Sequence, residues 1–329
     1  MNVVIVGCGL IGQKRAKALK NCHLIACVDL LHERAVALAA QFPGCIAQTD
    51  WQAAIHLPNV DLVIVATIHD ALMEIAHAAI KAGKHVLLEK PGGRNTRETA
   101  SLLVAAEQTQ ACVRVGFNHR YHRAFRKARQ LIDEGMLGEL MFIRGRYGHG
   151  GRIGYHQEWR ANPKCSGGGE LIDQGVHLID LARWFLGDFD QVYGHAHTYF
   201  WNMPVDDNGF MVLHTAKKQV AFLHASCTEW KNTFSFEIFG KQGKIEVNGL
   251  GGSYGMERIT FYKMSESMGP PETMIWEYPM IDDSWEFEWN EFLDDIKQQR
   301  QPAASIQDAH AVLKIVEKIY KDSGYDYCS

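Results

Sequence analysis

No two cysteines in this 329-residue chain form a C-x-x-C pair, although eight are present, at positions 8, 22, 27, 45, 112, 165, 227 and 328. A structural zinc site needs paired ligands at close spacing, and a disulfide scaffold is short and cysteine-dense. Scattered, reduced thiols are the expectation, and no metal is expected. No window reaches the ~18 uninterrupted apolar residues that cross a bilayer. Charge of one sign is not in excess either: 34 Lys and Arg stand against 38 Asp and Glu, a net charge of -4. That balance gives no general attraction to nucleic acid or an anionic membrane. Met1-Asn2 is followed by only Val3 to Val6 before the first glycine, so a basic stretch followed by a long apolar one is missing and no secretory signal is expected. A soluble, cytoplasmic protein is the expectation. Internal repeats and low-complexity tracts are absent too.

What is present is the composition of a folded protein, with 47% hydrophobic and 22% charged residues. The length favours two domains over one. Over the first ~120 residues, short β-branched runs alternate with helical patterns. Strands are expected at Val3–Val6, Leu24–Val28, Leu62–Ala66, His85–Leu88 and Ala111–Phe117. Helices are expected at Gln13–Leu19, Glu33–Phe42, Leu72–Ala82 and Thr96–Gln108. Such alternation implies right-handed crossovers and a doubly wound parallel sheet. The rhythm then changes. A short helix (Arg123–Ile132), a strand (Glu139–Tyr147) and an irregular glycine-rich stretch lead to one strong helix, Glu170–Phe185. Several strands follow, with turn signals at Asp206-Asp207-Asn208-Gly209, Lys241-Gln242-Gly243 and Asn248-Gly249, and two helices (Ser284–Gln299, Ile306–Lys321) end the chain. The fold class is therefore α/β for residues 1–120, and α+β with a mostly antiparallel sheet for residues 121–329.

Gly7-Cys8-Gly9-Leu10-Ile11-Gly12 reads G-x-G-x-x-G directly after a buried strand and at the start of a helix, the context in which the pattern binds a dinucleotide. Gly7 serves the tight turn, Gly9 the approach of the pyrophosphate, and Gly12 the packing of helix on strand. Asp29 stands twenty residues after Gly9, where an acid can accept the adenosine ribose hydroxyls and repel a 2′-phosphate. Arg34 is the nearest arginine. NAD is preferred to NADP.

Glu89-Lys90-Pro91 follows the fourth strand, at the carboxyl edge of a parallel sheet, where ligands bind. Far downstream, Gly167-Gly168-Gly169 leads into a helix that carries Asp173 and His177, four residues apart and so on one face. A carboxylate one turn from an imidazole can fix its tautomer and stabilise the imidazolium.

With Ala66-Thr67, Gly83-Lys84-His85-Val86, Gly116-Phe117-Asn118, Trp159-Arg160 and the segment Gly169 to Asp180, these motifs cover nearly the whole chain. They resemble the glucose–fructose oxidoreductase / inositol dehydrogenase / MocA family. The resemblance implies a Rossmann domain, a second domain with a large open sheet, an active site between them, and a homodimer or homotetramer. It implies NAD-dependent oxidation or reduction at a secondary alcohol or ketone of a sugar, cyclitol or nucleotide-linked sugar. Lys90 would hydrogen-bond the reacting oxygen, His177 would act as general acid/base, and Asp173 would position the pair. Leu10, Ile11, Ala66, Thr67, His69, Glu89, Lys90, Asn118, Trp159 and Arg160 join the glycines, Asp29 and Arg34 as expected cofactor contacts. Asn118, Arg120, Arg152 and Arg160 join Lys90, Asp173 and His177 around the substrate. One segment departs from the family's A-T-P-N-x-x-H: here it reads Ala66-Thr67-Ile68-His69-Asp70-Ala71-Leu72, with leucine at the usual histidine.

Arg144, Arg146, Arg152, Arg160 and Lys164 cluster with His149 and His156. Guanidinium groups suit phosphate oxygens, so an anionic substrate such as a nucleotide-diphosphate sugar is the leading expectation. A free sugar or inositol is the alternative, and a non-catalytic NAD-binding sensor or assembly protein is a rival of another class. His195-x-His197 puts two rings on one strand face but has no third ligand nearby, so it is not expected to hold a metal.

Overall fold

A computed structural model describes residues 1–267 and 269–326. The chain forms two compact units, and they are not consecutive. The first comprises residues 1–117, 164–167 and 285–314; the second comprises 118–163, 168–284 and 315–329. The first break, at 117/118, lies near the expected boundary at 120/121, and residues 285–314 return to pack with the N-terminal sheet.

In the first unit, six strands run in the order β3-β2-β1-β4-β5-β6, all parallel. They are β1 (Asn2–Val6), β2 (His23–Val28), β3 (Ile46–Gln48), β4 (Leu62–Val65), β5 (His85–Glu89) and β6 (Val113–Gly116). The helices are α1 (Leu10–Ala18), α2 (His32–Ala39), α3 (Trp51–Ile55), α4 (His69–Lys81) and α5 (Thr96–Glu107). The central strands are buried along their whole apolar runs, as a sheet covered on both faces requires. β3 and α3 are additions to the expected elements. Asp50 caps α3, its Oδ1 accepting the N–H groups of Gln52 and Ala53.

The second unit holds α6 (Arg123–Asp133), β7 (Leu140–Gly148), α8 (Val176–Leu186), β8 (Gln191–His197), β9 (Asn208–His214), β10 (Val220–Ser226), β11 (Thr233–Gly240), β12 (Gly243–Asn248), β13 (Glu257–Lys263) and β14 (Glu272–Tyr278), whereas the short α7 (Pro163–Ser166) has only its first residue there. Its eight strands are ordered β14-β13-β12-β11-β7-β10-β9-β8. Only β7 and β10 pair in parallel, with Val220 opposite Phe142 and Ser226 opposite Gly148. Side chains alternate across this sheet. Ile143, Leu223, Phe236, Ile238 and Val247 are buried on one face, beneath Phe125 of α6 and Leu178 of α8. Tyr193 and Phe222 are exposed on the other.

The expected turn at 206–209 is not one: Asn208 and Gly209 begin β9 (Asn208–His214). The expected continuous helix from Glu170 also differs. It opens as a π-helical turn, Leu171–Gly175, before α8. α9 (Ser284–Gln298) and α10 (Ile306–Asp322) complete the order. From Trp285 on, α9 belongs to the first unit, where Trp289 and Phe292 join Val3, Ile5, Leu24 and Leu62 in one core.

Candidate functional site

In the first unit the glycine loop joins β1 to α1 beside the carboxyl end of β4, where strand order reverses and ligands bind in such sheets. A Cβ on Gly12 would lie 1.9 Å from the Gly7 carbonyl oxygen, so helix and loop pack at a distance only glycine permits. At Gly9 the same atom would meet nothing within 4 Å. That open side faces the start of α1, which has neither a side-chain cap nor an acid in its first turn. Unpaired N–H groups and the helix dipole there suit a diphosphate. Leu10 is exposed at the same helix start.

Asp29 serves the loop directly. Its Oδ2 accepts the Cys8 N–H at 2.8 Å and its Oδ1 the Leu31 N–H at 2.9 Å. Each oxygen keeps acceptor capacity for ribose hydroxyls. Thr67 Oγ1, next to Ala66 at the end of β4, is buried with no hydrogen-bond partner among the described residues. Such an orphan fits a site that completes its bonding with a ligand. These features fit NAD: Gly7, Gly9, Leu10, Ile11, Gly12, Asp29, Ala66 and Thr67 would hold it, and its nicotinamide ring would supply the hydride acceptor or donor.

Other expected cofactor contacts are engaged elsewhere in the unit. Glu89 Oε1 accepts from Arg15 Nε at 2.5 Å in the interior, and a second arm of Arg15 goes to Glu288. His69 is buried, with its Nδ1 2.8 Å from the Ser166 carbonyl. Leu72, where the family pattern has histidine, is fully buried in the core. Arg34 is exposed on α2. Lys90 is half-buried just beyond the end of β5.

In the second unit the structure gathers Trp159, Arg160, Asp173 and His177 with residues that sequence reasoning had not singled out. Arg160 Nε donates to Asp173 Oδ2 at 2.8 Å, and Asp173 is the main influence keeping the guanidinium protonated. Arg160 also lies over the Trp159 ring. Arg152 binds Glu158, which lies 3.7 Å from Arg160. The result is a ladder of alternating charge: Arg152, Glu158, Arg160, Asp173. His149 Nε2 is 3.5 Å from the buried Glu170, and burial pushes the pKa of His149 down. His177 is buried, its ring stacked on His119 with centroids 3.7 Å apart and planes 15° from parallel. Asn118, expected near both ligands, donates through Nδ2 to Ser284 Oγ at 3.2 Å. Arg120, expected near the substrate, is buried with its Nε and Nη2 on the two oxygens of Asp180 at 2.8 and 2.5 Å.

Two carboxylates in the supposed turn organise this cluster. Asp206 Oδ1 accepts the Gly169 N–H and its Oδ2 the Leu171 N–H, both at 2.8 Å. A Cβ on Gly169 would lie 1.9 Å from the Asp206 carbonyl oxygen, which is why glycine stands there. Asp207 accepts the N–H groups of Tyr199, Phe200 and Trp201 at 2.7 to 3.0 Å. Asp206 therefore sets the start of the π turn that carries Asp173. Two adjacent acids beside a β-strand, with glycines to receive them elsewhere, were the available signal.

Burial pushes Asp206 up to about 6, against the pull of its donors. The unfolded value is about 3.9. The folded protein therefore binds this proton more tightly, and its stabilising contribution is present below pH ~4 and lost as pH rises through ~6. We expect the unfolding free energy of the wild type to fall relative to Asp206→Asn between those values in denaturant titrations. Parallel pH profiles would show that Asp206 is not the group responsible.

Among the described residues no group of three or more His, Cys, Asp or Glu could hold a metal ion, and no helix is long and apolar enough to cross a membrane. His195 and His197 stack on each other along β8.

Comparison with known proteins gives the geometry its context. The levoglucosan dehydrogenase of Pseudarthrobacter phenanthrenivorans is 31% identical over 195 residues, 56% of this chain and 48% of that one. The chain thus matches about half the length of this curated relative. An inositol 2-dehydrogenase of Rhizobium meliloti is 26% identical over 270 residues, covering 77% of this chain and 74% of that one. A solved levoglucosan dehydrogenase in complex with NADH and levoglucosan superposes with a TM-score of 0.89 at 24% identity, over 98% of this chain and 97% of that one, and shares the fold. Residues 1–117 match the oxidoreductase family with the NAD-binding Rossmann fold, and residues 125–246 match the GFO/IDH/MocA C-terminal domain. Both halves point the same way, and the chain belongs to the glucose–fructose oxidoreductase / inositol dehydrogenase / MocA family.

Proposed function

We propose that the protein is an NAD-dependent dehydrogenase or reductase acting on a secondary alcohol or ketone of a free sugar or cyclitol. The observation that carries the substrate class is the charge ladder. Arg152 and Arg160 are matched by Glu158 and Asp173, and Arg144 by Glu237 at 2.8 Å. Cations already bound to carboxylates give a diphosphate little to bind, whereas alternating donors and acceptors suit neutral hydroxyls. A nucleotide-linked sugar, the first expectation, is therefore less well supported. The relatives named for levoglucosan and inositol support the same choice.

In this reading Lys90 hydrogen-bonds the reacting oxygen and His177 takes the hydroxyl proton as the carbinol hydride leaves for the nicotinamide. Asp173, bound to Arg160, positions the group. The intact Lys90, Asp173 and His177 weigh against a non-catalytic sensor or assembly role. Free thiols at seven described cysteines and the use of NAD fit work in the cytoplasm.

The test is a panel at one fixed pH: levoglucosan, myo-inositol, L-sorbose and several nucleotide sugars, each with NAD or NADH. We expect kcat/KM for at least one free compound to exceed that for every nucleotide sugar by about tenfold or more. A nucleotide sugar at the top of the ranking would overturn the substrate class.

The open face of the eight-stranded sheet exposes Tyr193 (57%), Phe222 (51%) and Ile275 (56%). Apolar surface of this kind marks an association face, and we propose a homodimer or homotetramer formed through it. Sedimentation velocity at working concentration should show the oligomer; a monomer would refute it.

A further inference from the structure

The stack of His119 on His177 has no counterpart in the roles assigned so far. His119 directly follows Asn118 in a short 3-10 turn, Asn118–Tyr121, and is buried there. Its Nδ1 lies 3.2 Å from Asn118 Oδ1, while Asn118 Nδ2 faces Ser284 Oγ. With the amide nitrogen turned to Ser284, its oxygen is left to accept, so His119 carries its proton on Nδ1.

We propose that His119 is a positioning residue of the reaction, holding the His177 ring in plane and keeping the stacked pair from carrying two protons at once. The proposal rests on His177 being the acid/base. Two imidazolium ions 3.7 Å apart in a buried site repel strongly, so the first proton taken up discourages the second. A neutral His177 is the form that can accept a hydroxyl proton.

Titratable and apolar groups from neighbouring elements surround the pair. His122 stands edge-on to His119 at 5.5 Å, with its Nδ1 3.0 Å from Glu257 Oε2. Tyr147 of β7 lies 5.3 Å from His119 and 6.3 Å from His177; burial holds its phenol well above its ordinary range, so it adds no charge. Glu170, just before the π turn, and Asp173 within it act on Tyr147, and Asp173 is already paired with Arg160. Phe234 of β11 (Thr233–Gly240) stands edge-on to His119 at 6.1 Å and is apolar.

The experiment follows the His177 ring by ¹³C-histidine NMR through a pH titration of the NAD-saturated protein, in wild type and His119→Phe. It is paired with pH profiles of kcat/KM on levoglucosan or myo-inositol, whichever is turned over. Phenylalanine keeps a stacked ring and removes the second charge site. The His177 midpoint should rise by about one pH unit, a tenfold gain in proton affinity, and the acid limb of kcat/KM should rise with it. His119→Gln, measured in the same way, replaces the first variant if it does not fold. If His177→Asn keeps its turnover, the acid/base reading falls and this inference with it. If His177→Asn is inactive but the midpoint is unmoved in the His119 variant, His119 alone is overturned.

Discussion

His177→Ala is expected to lower kcat by about 10²–10⁴-fold, the usual worth of a placed acid/base group. Lys90→Ala should cost a comparable factor, because it removes a charged donor from the oxygen on which negative charge develops. The affinity for NAD, measured by fluorescence titration, should stay within about threefold of wild type in both variants, since neither residue touches the glycine loop or Asp29 in this reading. The double variant should be little worse than the poorer single one, because two groups that act on one proton transfer are not additive. Turnover within about fivefold of wild type in either single variant would remove that residue from the chemistry. Absence of turnover by the wild type on every compound of the panel would favour the binding-only reading.

Arg15→Met is expected to destabilise the first unit by about 3–5 kcal/mol, the range seen when one member of a buried ion network is removed. Arg15 is buried between Glu89 and Glu288, with the Trp285 ring 4.5 Å from the guanidinium. Without the cation, two carboxylates are left in the interior with like charge. Burial already pushes Glu288 above the ordinary carboxylate range, with Arg15 opposing it. Loss of Arg15 raises it further. The stability deficit should therefore be largest at alkaline pH and shrink as the medium is acidified, when the carboxyls take up protons. Chemical denaturation at pH 5 and 8 measures it; a deficit that grows on acidification would contradict this account.

The parallel half of the fold is legible in the sequence because its signals are local. Apolar, β-branched runs such as Val3–Val6 and Leu62–Val65 stand out against their neighbours, and G-x-G-x-x-G sits where strand becomes helix. β3 and α3 escape periodicity because three and five residues are too few to show a period. The sequence is silent where one segment's needs are met by another distant in the chain. Asp206-Asp207-Asn208-Gly209 has turn chemistry, yet its carboxylates serve the backbone of residues 169, 171 and 199–201. Nothing local shows that Asp180, sixty residues on, is folded against Arg120. Nor does spacing reveal that Glu158 and Asp173 pair with Arg152 and Arg160. Lys90, Asp173 and His177 were nameable from motif and spacing, whereas the stacking of His119 on His177 depends on a turn and a helix meeting in three dimensions.

The return of residues 285–314 to the N-terminal sheet has a consequence for biosynthesis. The Val115 N–H is bonded to the carbonyl of Ala304, and the indole of Trp289 to the carbonyl of Lys20. A ribosome that has made only the first 120 residues has released neither partner, nor the Glu288 that binds Arg15. The nucleotide-binding half, although translated first, must wait for nearly all of the remaining chain before its own interior can close.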